Sequence, residues 1–433
     1  MKRIRTTDIE YYAGEQIIIP CWIHGVRELK NLTFVIMRDG WGTAQALSDN
    51  SRICERIKSI PVGSAVEMLG TVQKNSHAHG GFELMLEGIR YQGEPDGELI
   101  SGIDISKKEL NMSPATMLDH AARVLRRPEI RFRHRLASLS QRLFREFLDA
   151  EGFTEIRTPK ITSTGMEGGS TVFQLDYFGK KAFLAQSPQL YKQQMVGVFQ
   201  KVYEIGPVFR AEKHTTVRHL NEYTSMDVEM GFIRNHRDLM DLLERLIAFL
   251  SGRSAELVME WAERFPVHWP TVPRRIPVVD FEKALEIASR QGVANSGLDL
   301  SPEAERVLGE WCLTEFSSDF LFVSGYPMEV RPFYTAPDPD RPGYSMSFDL
   351  LFRGQELVTG GQRLHRGGDY REAMKRSGMD TQAFSSYLES FDAGMPPHGG
   401  FGLGLERWIQ MLLNLPNIRQ ASLFPRDMGR LIP

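Results

Sequence analysis

Two stretches of this sequence lie about 180 residues apart and together carry the residue types of a nucleotide site. The first reads FRAE at 209–212 and RHLNEY at 218–223, and it offers arginines, carboxylates, a histidine and an aromatic ring. The second reads GGFGLGLER at 399–407, where glycines let the backbone approach a flat ligand before an arginine. An arginine can bind phosphate oxygens bidentately and can also stack on a ring. Since the chain has no GxxxxGK[ST] phosphate loop, the two stretches predict an ATP site of a different design.

Composition bounds the class of protein. A chain of 433 residues is too long for one ordinary core and predicts a small and a large domain. Its 42% hydrophobic and 25% charged residues are typical of a soluble globular protein. No apolar run is long enough to span a membrane, so we expect no membrane partner. No secretory signal follows Met1, and Cys21, Cys54 and Cys312 lack CxxC spacing. We therefore expect a cytoplasmic protein with neither a disulfide framework nor a zinc site.

The N-terminal part of the chain reads as short strands. Between residues 15 and 91, five or so apolar runs are separated by Gly, Asp and Asn, as turns require. This pattern suits a small Greek-key barrel of the OB type, whose open face commonly binds single-stranded nucleic acid. We therefore assign 1–91 to the barrel, 92–124 to a hinge with at most one short helix, and 125–433 to a second domain.

Apolar spacing in the second domain predicts two long elements. It favours a helix over 130–151, which Gly152 would end, and an amphipathic helix over 237–250. Residues 153–159 read as a strand between these helices. The segment from 251 to about 325 has a less regular pattern, from which no role is predicted.

The two nucleotide stretches resemble motifs 2 and 3 of the class II aminoacyl-tRNA synthetases, and four further blocks occur in that family's order. They are EGG at 167–169, QSPQLYK at 186–192, GGQR at 360–363 and FPRD at 424–427. These blocks narrow the resemblance, which covers nearly the whole chain, to the subclass IIb aspartyl-tRNA synthetases of the compact archaeal type. The resemblance implies an α+β fold, with a five-stranded OB-type barrel before a catalytic domain whose antiparallel sheet is flanked by helices.

The same resemblance places three motifs and the ATP ligands. Motif 1 would lie at about 153–159, motif 2 at about 203–230 and motif 3 at about 399–410. The catalytic candidates that it implies are Arg210, Arg407 and Glu356. The ATP-binding candidates are Arg210, Glu212, Arg218, His219, Leu220, Tyr223, Glu356, Gly404 and Arg407, with adenine held between Tyr223 and Arg407.

A magnesium ion bound with ATP is the one cofactor that the resemblance implies. Asp349 and Glu356 match the family's metal ligands, and Thr359 stands where relatives commonly have serine. Hard carboxylate oxygens suit an ion that bridges phosphates.

Charge determines the expected amino-acid substrate. Lys192 and Arg363 are the two cations that the resemblance places against the β-carboxylate of L-aspartate, and each hydrogen bond to such a charge contributes about 1.5 to 3 kcal/mol. Asparaginyl enzymes keep the arginine but lack this lysine, so Lys192 favours aspartate over asparagine. The substrate ammonium would meet Glu167 and Asp227, with Gln189 alongside.

The barrel is expected to bind the anticodon of tRNA(Asp). The candidate contacts are His24, Arg27, Phe34, Gln45, His79 and Glu83. Archaeal enzymes that accept only this tRNA tend to carry tryptophan where the present chain has His24, whereas relaxed relatives often have histidine, so tRNA(Asn) is a further expected partner. At a second position, the enzymes that accept only tRNA(Asp) tend to carry lysine and the relaxed relatives proline, and His79 of this chain matches neither. The resemblance also implies a homodimer built through motif 1 around Pro159.

Three alternatives stay open at this point. An asparaginyl-tRNA synthetase is disfavoured by Lys192. A tRNA-independent enzyme that makes a small amide is disfavoured by the barrel, and a non-catalytic RNA-binding relative is disfavoured because Arg210, Glu356, Arg363 and Arg407 are all present.

Overall fold

The computed structural model describes residues 1–78, 80–93, 110–163, 172–213, 216–259, 265, 267–294 and 297–432. The chain divides into two compact units, Met1–Ile130 and Arg131–Pro433. Among the described residues, no helix is both long and apolar enough to cross a membrane.

The N-terminal unit contains a closed five-stranded barrel. Its strands are β2 (Gln16–Leu29), β3 (Leu32–Arg38), β4 (Thr43–Ser48), β5 (Ala65–Lys74) and β6 (Phe82–Gly93), and β1 (Lys2–Arg3) extends one edge. They follow the order β2-β3-β4-β6-β5, and β5 pairs back to β2. Alternate residues such as Ile17 and Ile19 are fully buried, as the two-residue period of a strand requires. The OB-type barrel predicted from the strand pattern is therefore confirmed.

The C-terminal unit contains an eight-stranded sheet among its described residues. In spatial order the strands are β13 (Val278–Asp280), β14 (Phe320–Ser324), β15 (Ser347–Phe352), β16 (Gln355–Gln362), β17 (His398–Gly404), β12 (Glu222–Gly231), β11 (Lys201–Phe209) and β7 (Thr154–Glu155). All neighbours are antiparallel except the two edge pairs, β13–β14 and β11–β7. A separate small sheet joins β8 (Ile161–Thr162), β10 (Lys180–Leu184) and β9 (Gln174–Tyr177).

Helices accompany both units, so the α+β class is confirmed. They are α1 (Ser51–Lys58), α2 (Pro114–Asp119), α3 (Ala121–Val124), α4 (Pro128–Ala150), α5 (Gln189–Phe199), α6 (Arg237–Leu257), α7 (Phe281–Arg290), α8 (Pro302–Phe316), α9 (Gly367–Arg376), α10 (Ser385–Asp392) and α11 (Leu405–Leu412). The main core of the C-terminal unit packs α4, α6 and α11 against the sheet, and Trp408 lies fully buried within it.

Two local expectations differ from the structure, and one segment for which no role was predicted contains regular elements. Two short helices, α2 and α3, occupy the described part of the hinge, so the expectation of at most one is wrong. The motif 1 strand is limited to β7. The irregular-looking segment 251–325 contains β13, α7, α8 and β14, and α8 begins conventionally with Ser301 capping the helix and Pro302 in its first turn.

Candidate active site

A cavity of about 470 Å³ in the C-terminal unit brings the predicted ATP and amino-acid residues together. Its lining includes Gln189, Lys192, Arg210, Glu212, Arg218, His219, Leu220, Tyr223, Asp227, Glu356, Thr359, Arg363, Gly404 and Arg407. Neighbouring strands explain the convergence, because β12 and β17 pair so that Asp227 lies opposite Gly402 and Ser225 opposite Gly404. Residues from motifs 2 and 3, far apart in sequence, thereby meet in one cavity.

Two predicted residues cannot be compared with this geometry. Glu167, a candidate for the substrate ammonium, and His79, a candidate for the anticodon, lie outside the described residues.

The glycines of β17 make room for carboxylates on the neighbouring strand. A Cβ atom added at Gly400 would lie 2.0 Å from the carbonyl oxygen of Val228 and 2.2 Å from Oε2 of Glu229. One added at Gly402 would lie 3.2 Å from Oδ1 of Asp227. Real Cβ atoms essentially never lie within 3.0 Å of another heavy atom, so Gly400 is required beside Glu229, whereas a side chain at Gly402 would make a tight contact with Asp227.

One end of the cavity holds two buried cations bonded to carboxylates. Lys192 on α5 places Nζ 3.0 Å from Oδ1 of Asp227 and 3.3 Å from Oε2 of Glu229. Arg363 donates from Nε to Oε1 of Glu229 at 3.0 Å and from Nη2 to the carbonyl oxygen of Gly400 at 3.0 Å. Glu229 therefore joins the two cations that the sequence assigned to the substrate carboxylate.

Glu229 was not among the predicted residues. Burial opposes its charge, but Arg363 and Lys192 hold the pKa of Glu229 below its usual value. A signal was present in the sequence, because the two-residue period of β12 places Glu229 on the same face as Asp227.

The other end of the cavity combines an aromatic ring with arginines. A Cβ atom at Gly404 would lie 3.7 Å from Cβ of Arg407 and 3.9 Å from the Tyr223 ring, so the glycine separates these two side chains. The guanidinium of Arg210 lies 5.9 Å from the centre of the same ring. Arg407 donates from Nη1 to the carbonyl oxygen of Glu356 at 2.8 Å and to its Oε1 at 3.1 Å.

The predicted metal ligands lie on the paired strands β15 and β16. Thr359 is opposite Asp349 across the ladder, and Glu356 and Thr359 line the cavity, whereas Asp349 does not. Instead, Asp349 accepts a hydrogen bond from Nη2 of Arg331 at 2.9 Å. Burial raises the pKa of Asp349, although Arg331 acts in the opposite direction.

The electrostatic surroundings of Glu356 favour its ionised form. Its side chain is 38% exposed and is otherwise enclosed by the walls of the cavity that it lines. That enclosure opposes ionisation, yet Arg407, Arg331, Arg210 and Arg218 hold the pKa of Glu356 below its usual value. No group of three or more His, Cys, Asp or Glu side chains that could hold a metal occurs among the described residues.

The loop after β11 carries the two remaining nitrogen-bearing candidates. Arg218 forms an ion pair with Glu305 of α8, and the backbone N–H of Glu356 donates to the same carboxylate at 3.0 Å. The His219 ring contacts Oγ1 of Thr216 at 2.7 Å through Nδ1. Burial lowers the pKa of His219, although Glu212 acts in the opposite direction, so the ring is neutral near pH 7.

The barrel carries a separate set of candidate residues on one face. Arg27 lies opposite Phe34 across β2 and β3. Gln45 lies beside Glu83 and donates from Nε2 to its Oε2 at 2.8 Å. His24 occupies an irregularity in the β2–β3 pairing, between Ile23 and Gly25. The structure thus brings Phe34, Gln45 and Glu83 onto adjacent strands.

Comparisons with known proteins give a consistent family. The model for tRNA synthetases class II (D, K and N) matches residues 113–428, and the model for the OB-fold nucleic acid binding domain matches residues 19–91. The aspartate–tRNA(Asp/Asn) ligase of Thermus thermophilus is 43% identical over 434 residues, with 100% of each chain covered. The aspartate–tRNA(Asp) ligase of Pyrococcus horikoshii is 39% identical, with 97% of each chain covered.

A solved structure is similar over almost the same length. Asparaginyl-tRNA synthetase from Pyrococcus horikoshii, complexed with asparaginyl-adenylate, has a TM-score of 0.92 at 30% identity, with 99% of each chain covered. The fold similarity therefore includes an enzyme named for asparagine, whereas the similar sequences above are named for aspartate.

Proposed function

Because this chain belongs to the class II tRNA synthetases of the aspartate, lysine and asparagine group, we propose that it is an aspartate–tRNA ligase. It activates L-aspartate with ATP and transfers the aspartyl group to the 3′ end of tRNA. The observation that carries this assignment is the pair of buried cations, Lys192 and Arg363, in the cavity that also holds the ATP candidates.

Two cations at one end of the cavity favour a carboxylate over an amide. A hydrogen bond to a charged group contributes about 1.5 to 3 kcal/mol, and a neutral amide oxygen would forgo part of it. The runner-up, an asparaginyl-tRNA synthetase, is supported by the high fold similarity to such an enzyme. Lys192 decides between the two, since the asparaginyl enzymes lack this lysine.

The residues support a reaction carried out by positioning and electrostatics. The α-carboxylate of aspartate is already ionised and attacks the α-phosphorus of ATP, with pyrophosphate as the leaving group, so no general base is required. Arg210 neutralises both the carboxylate and the α-phosphate, and Tyr223 and Arg407 hold adenine between them. Asp227 binds the substrate ammonium, and Gln189 lies alongside with a buried Nε2 that has no hydrogen-bond partner among the described residues. A ribose hydroxyl of the tRNA then attacks the carbonyl carbon of the adenylate, the bond from that carbon to the phosphate oxygen breaks, and AMP and the hydroxyl proton are released.

Magnesium fits the donor groups at the end of the cavity that holds Tyr223, Arg407 and Glu356, which we call the ATP end. Glu356 offers an ionised carboxylate and Thr359 a hydroxyl, and Asp349 lies beside Thr359 on the neighbouring strand. A bound magnesium ion would neutralise and orient the phosphates. The four arginines near Glu356 would neutralise the phosphates together with the magnesium ion.

The proposal extends to both tRNA(Asp) and tRNA(Asn). It is supported by the relatives named for both tRNAs and by the histidine at position 24. The two tRNAs differ at the third anticodon base, C or U, so an enzyme that accepts both must tolerate either base. One good contact to a base would favour binding of that base over the other by about 1 to 3 kcal/mol.

The enzyme acts as a homodimer through the motif 1 region. Pro159 is exposed, and the neighbouring small sheet exposes Ile161, Tyr177 and Phe178, of which Phe178 is 91% exposed. Exposed apolar side chains in one region are typical of a protein interface. Sedimentation of the active enzyme as a monomer at assay concentrations would contradict this part of the proposal.

Pyrophosphate exchange with each amino acid, followed by charging of both tRNA transcripts, tests the function. We expect exchange with aspartate alone and charging of both transcripts within about tenfold of each other, the factor of a weak base contact. In His24→Trp, charging of tRNA(Asn) should fall while exchange stays unchanged. Exchange with asparagine would overturn the assignment of aspartate as the substrate. A wild-type preference for one tRNA transcript over the other above about a hundredfold would overturn the proposal of relaxed tRNA recognition.

A further inference from the structure

Helix α8 carries a buried carboxylate, Glu305, that contacts two residues of the ATP end, Arg218 and Glu356. Glu305 is 7% exposed and belongs to none of the blocks that identify the family. Its Oε2 accepts hydrogen bonds from Nη2 of Arg218 and from the backbone N–H of Glu356. One oxygen therefore joins the loop after β11 to the strand that carries a predicted metal ligand.

Two glycines fix the position of this helix. A Cβ atom at Gly309 would lie 2.3 Å from the backbone nitrogen of Gly354, and one at Gly354 would lie 2.7 Å from Cα of Arg306. Gly354 also has a φ of 72°, in the left-handed region that favours glycine. The backbone of α8 thus contacts the turn between β15 and β16 directly, so Glu305 is held by rigid packing.

We propose that Glu305 is a positioning residue that holds Arg218 in the orientation needed for a phosphate group of ATP. This inference rests on the proposed function, because Arg218 can serve a phosphate only if the cavity accepts ATP. A guanidinium has five N–H donors, and the bond to Glu305 uses one of them. Arg218 also lines the cavity, so its other donors are available to a ligand.

Tethering Arg218 reduces the entropy lost when ATP binds. A free arginine side chain must be immobilised at that moment, whereas one already held by a carboxylate loses less freedom. The opposite role is physically conceivable, because Glu305 could compete with the phosphates for Arg218. The two roles predict opposite changes in ATP affinity when the charge of Glu305 is removed.

Glu305→Gln separates these roles, because it keeps the size of the side chain and an oxygen for the Glu356 N–H but removes the charge. We expect the KM for ATP in aspartate-dependent pyrophosphate exchange to rise about tenfold, the difference between a charged and a neutral hydrogen bond. The KM for aspartate should change less than about twofold, since only the ATP end is altered. Calorimetric binding of a non-hydrolysable ATP analogue should weaken by the same factor.

Glu303→Gln provides the matched control, since Glu303 is an exposed carboxylate in the same turn of α8. It should leave both KM values unchanged. Arg218→Ala provides the test of mechanism. If Glu305 acts through Arg218, the double variant should have the same KM for ATP as Arg218→Ala alone, whereas independent structural effects would multiply.

An unchanged or lower KM for ATP in Glu305→Gln would overturn the inference, as would multiplying effects in the double variant. If Glu305→Gln does not unfold cooperatively on heating, Glu305→Asp replaces it in the same comparison with Arg218→Ala. Failure of the proposed function looks different, because the wild-type enzyme would then show no exchange with aspartate. Normal wild-type exchange with an unaffected variant would count against Glu305 alone.

Discussion

The two ends of the cavity hold their cations in different ways. At the amino-acid end, the side chains of Lys192 and Arg363 are 2% and 7% exposed, and both are bonded to Glu229. At the ATP end, the side chains of Arg407 and Arg218 are each 20% exposed. The cations at both ends are paired with carboxylates, but those of the first end are almost fully buried and those of the second end are partly exposed.

Under the proposed function, this difference corresponds to two tasks. Discrimination between aspartate and asparagine needs charges in fixed positions, because a misplaced or unpaired buried charge is costly. Binding of ATP and release of pyrophosphate need cations that a polyanion can reach and leave. Loss of one cation should therefore be severe at the amino-acid end and moderate at the ATP end.

The largest expected effect comes from removing a cation at the amino-acid end. In Arg363→Leu or Lys192→Leu, kcat/KM for aspartate should fall by about 10² to 10⁴, since leaving a buried charge without its partner costs about 3 to 5 kcal/mol. ATP-analogue binding should change less than about threefold, because the ATP ligands remain.

Exposed residues supply the controls for this prediction. Arg366→Leu and Lys180→Leu change cations that lie at the surface and should retain wild-type exchange. Thermal unfolding of the pocket variants separates a lost substrate contact from a lost fold. Use of aspartate at near wild-type rates by either pocket variant would refute the assignment of the amino-acid end.

An intermediate effect is expected from the aromatic ring at the ATP end. Tyr223→Leu should raise the KM for ATP about 10- to 100-fold, because stacking of a base on an aromatic side chain contributes about 1 to 3 kcal/mol. The KM for aspartate should remain within a factor of about two, since only a base contact is lost. Tyr11→Leu, which alters a tyrosine that is 73% exposed in the other unit, serves as the control. An ATP KM that does not move in Tyr223→Leu would show that adenine binds elsewhere.

The smallest effect concerns His219 and pH. Because burial lowers the pKa of His219 below its usual value, the ring gains a proton only as the pH falls below about 6.5. A neutral donor should give wild-type and His219→Gln enzymes parallel profiles of kcat/KM for ATP between about pH 8 and 6.5. ATP titrates equally in both assays, so only a difference between the profiles is informative. A wild-type value that rises with acidification while the variant's does not would mean that the protonated ring binds phosphate.

The residues that line the cavity could be picked out from the sequence because they lie in short blocks. Arg210, Tyr223 and Arg407 are recognisable from their neighbours, and their convergence follows once β12 pairs with β17. The barrel was also predictable, because its strands have alternating apolar residues. These are local signals that survive without knowledge of the packing.

Contacts between distant segments were not predictable in the same way. Glu305 lies in a stretch without a recognisable block, and its partners Arg218 and Glu356 are 87 and 51 residues away. The pairing of Asp349 with Arg331 likewise depends on where a loop lies relative to β15. No periodicity within either segment encodes such a meeting.

The glycines of β17 also restrict how this pocket can be redesigned. Because a single methyl group at Gly400 would meet both the strand backbone and Glu229, this position cannot accept a side chain unless the neighbouring strand or the carboxylate moves. A library intended to change the accepted amino acid should leave β17 unvaried and draw its diversity from α5 and β16, which carry Lys192 and lead into Arg363. The same constraint would act on natural drift, so new specificities of this scaffold should arise by exchange of the cations while the glycine wall persists.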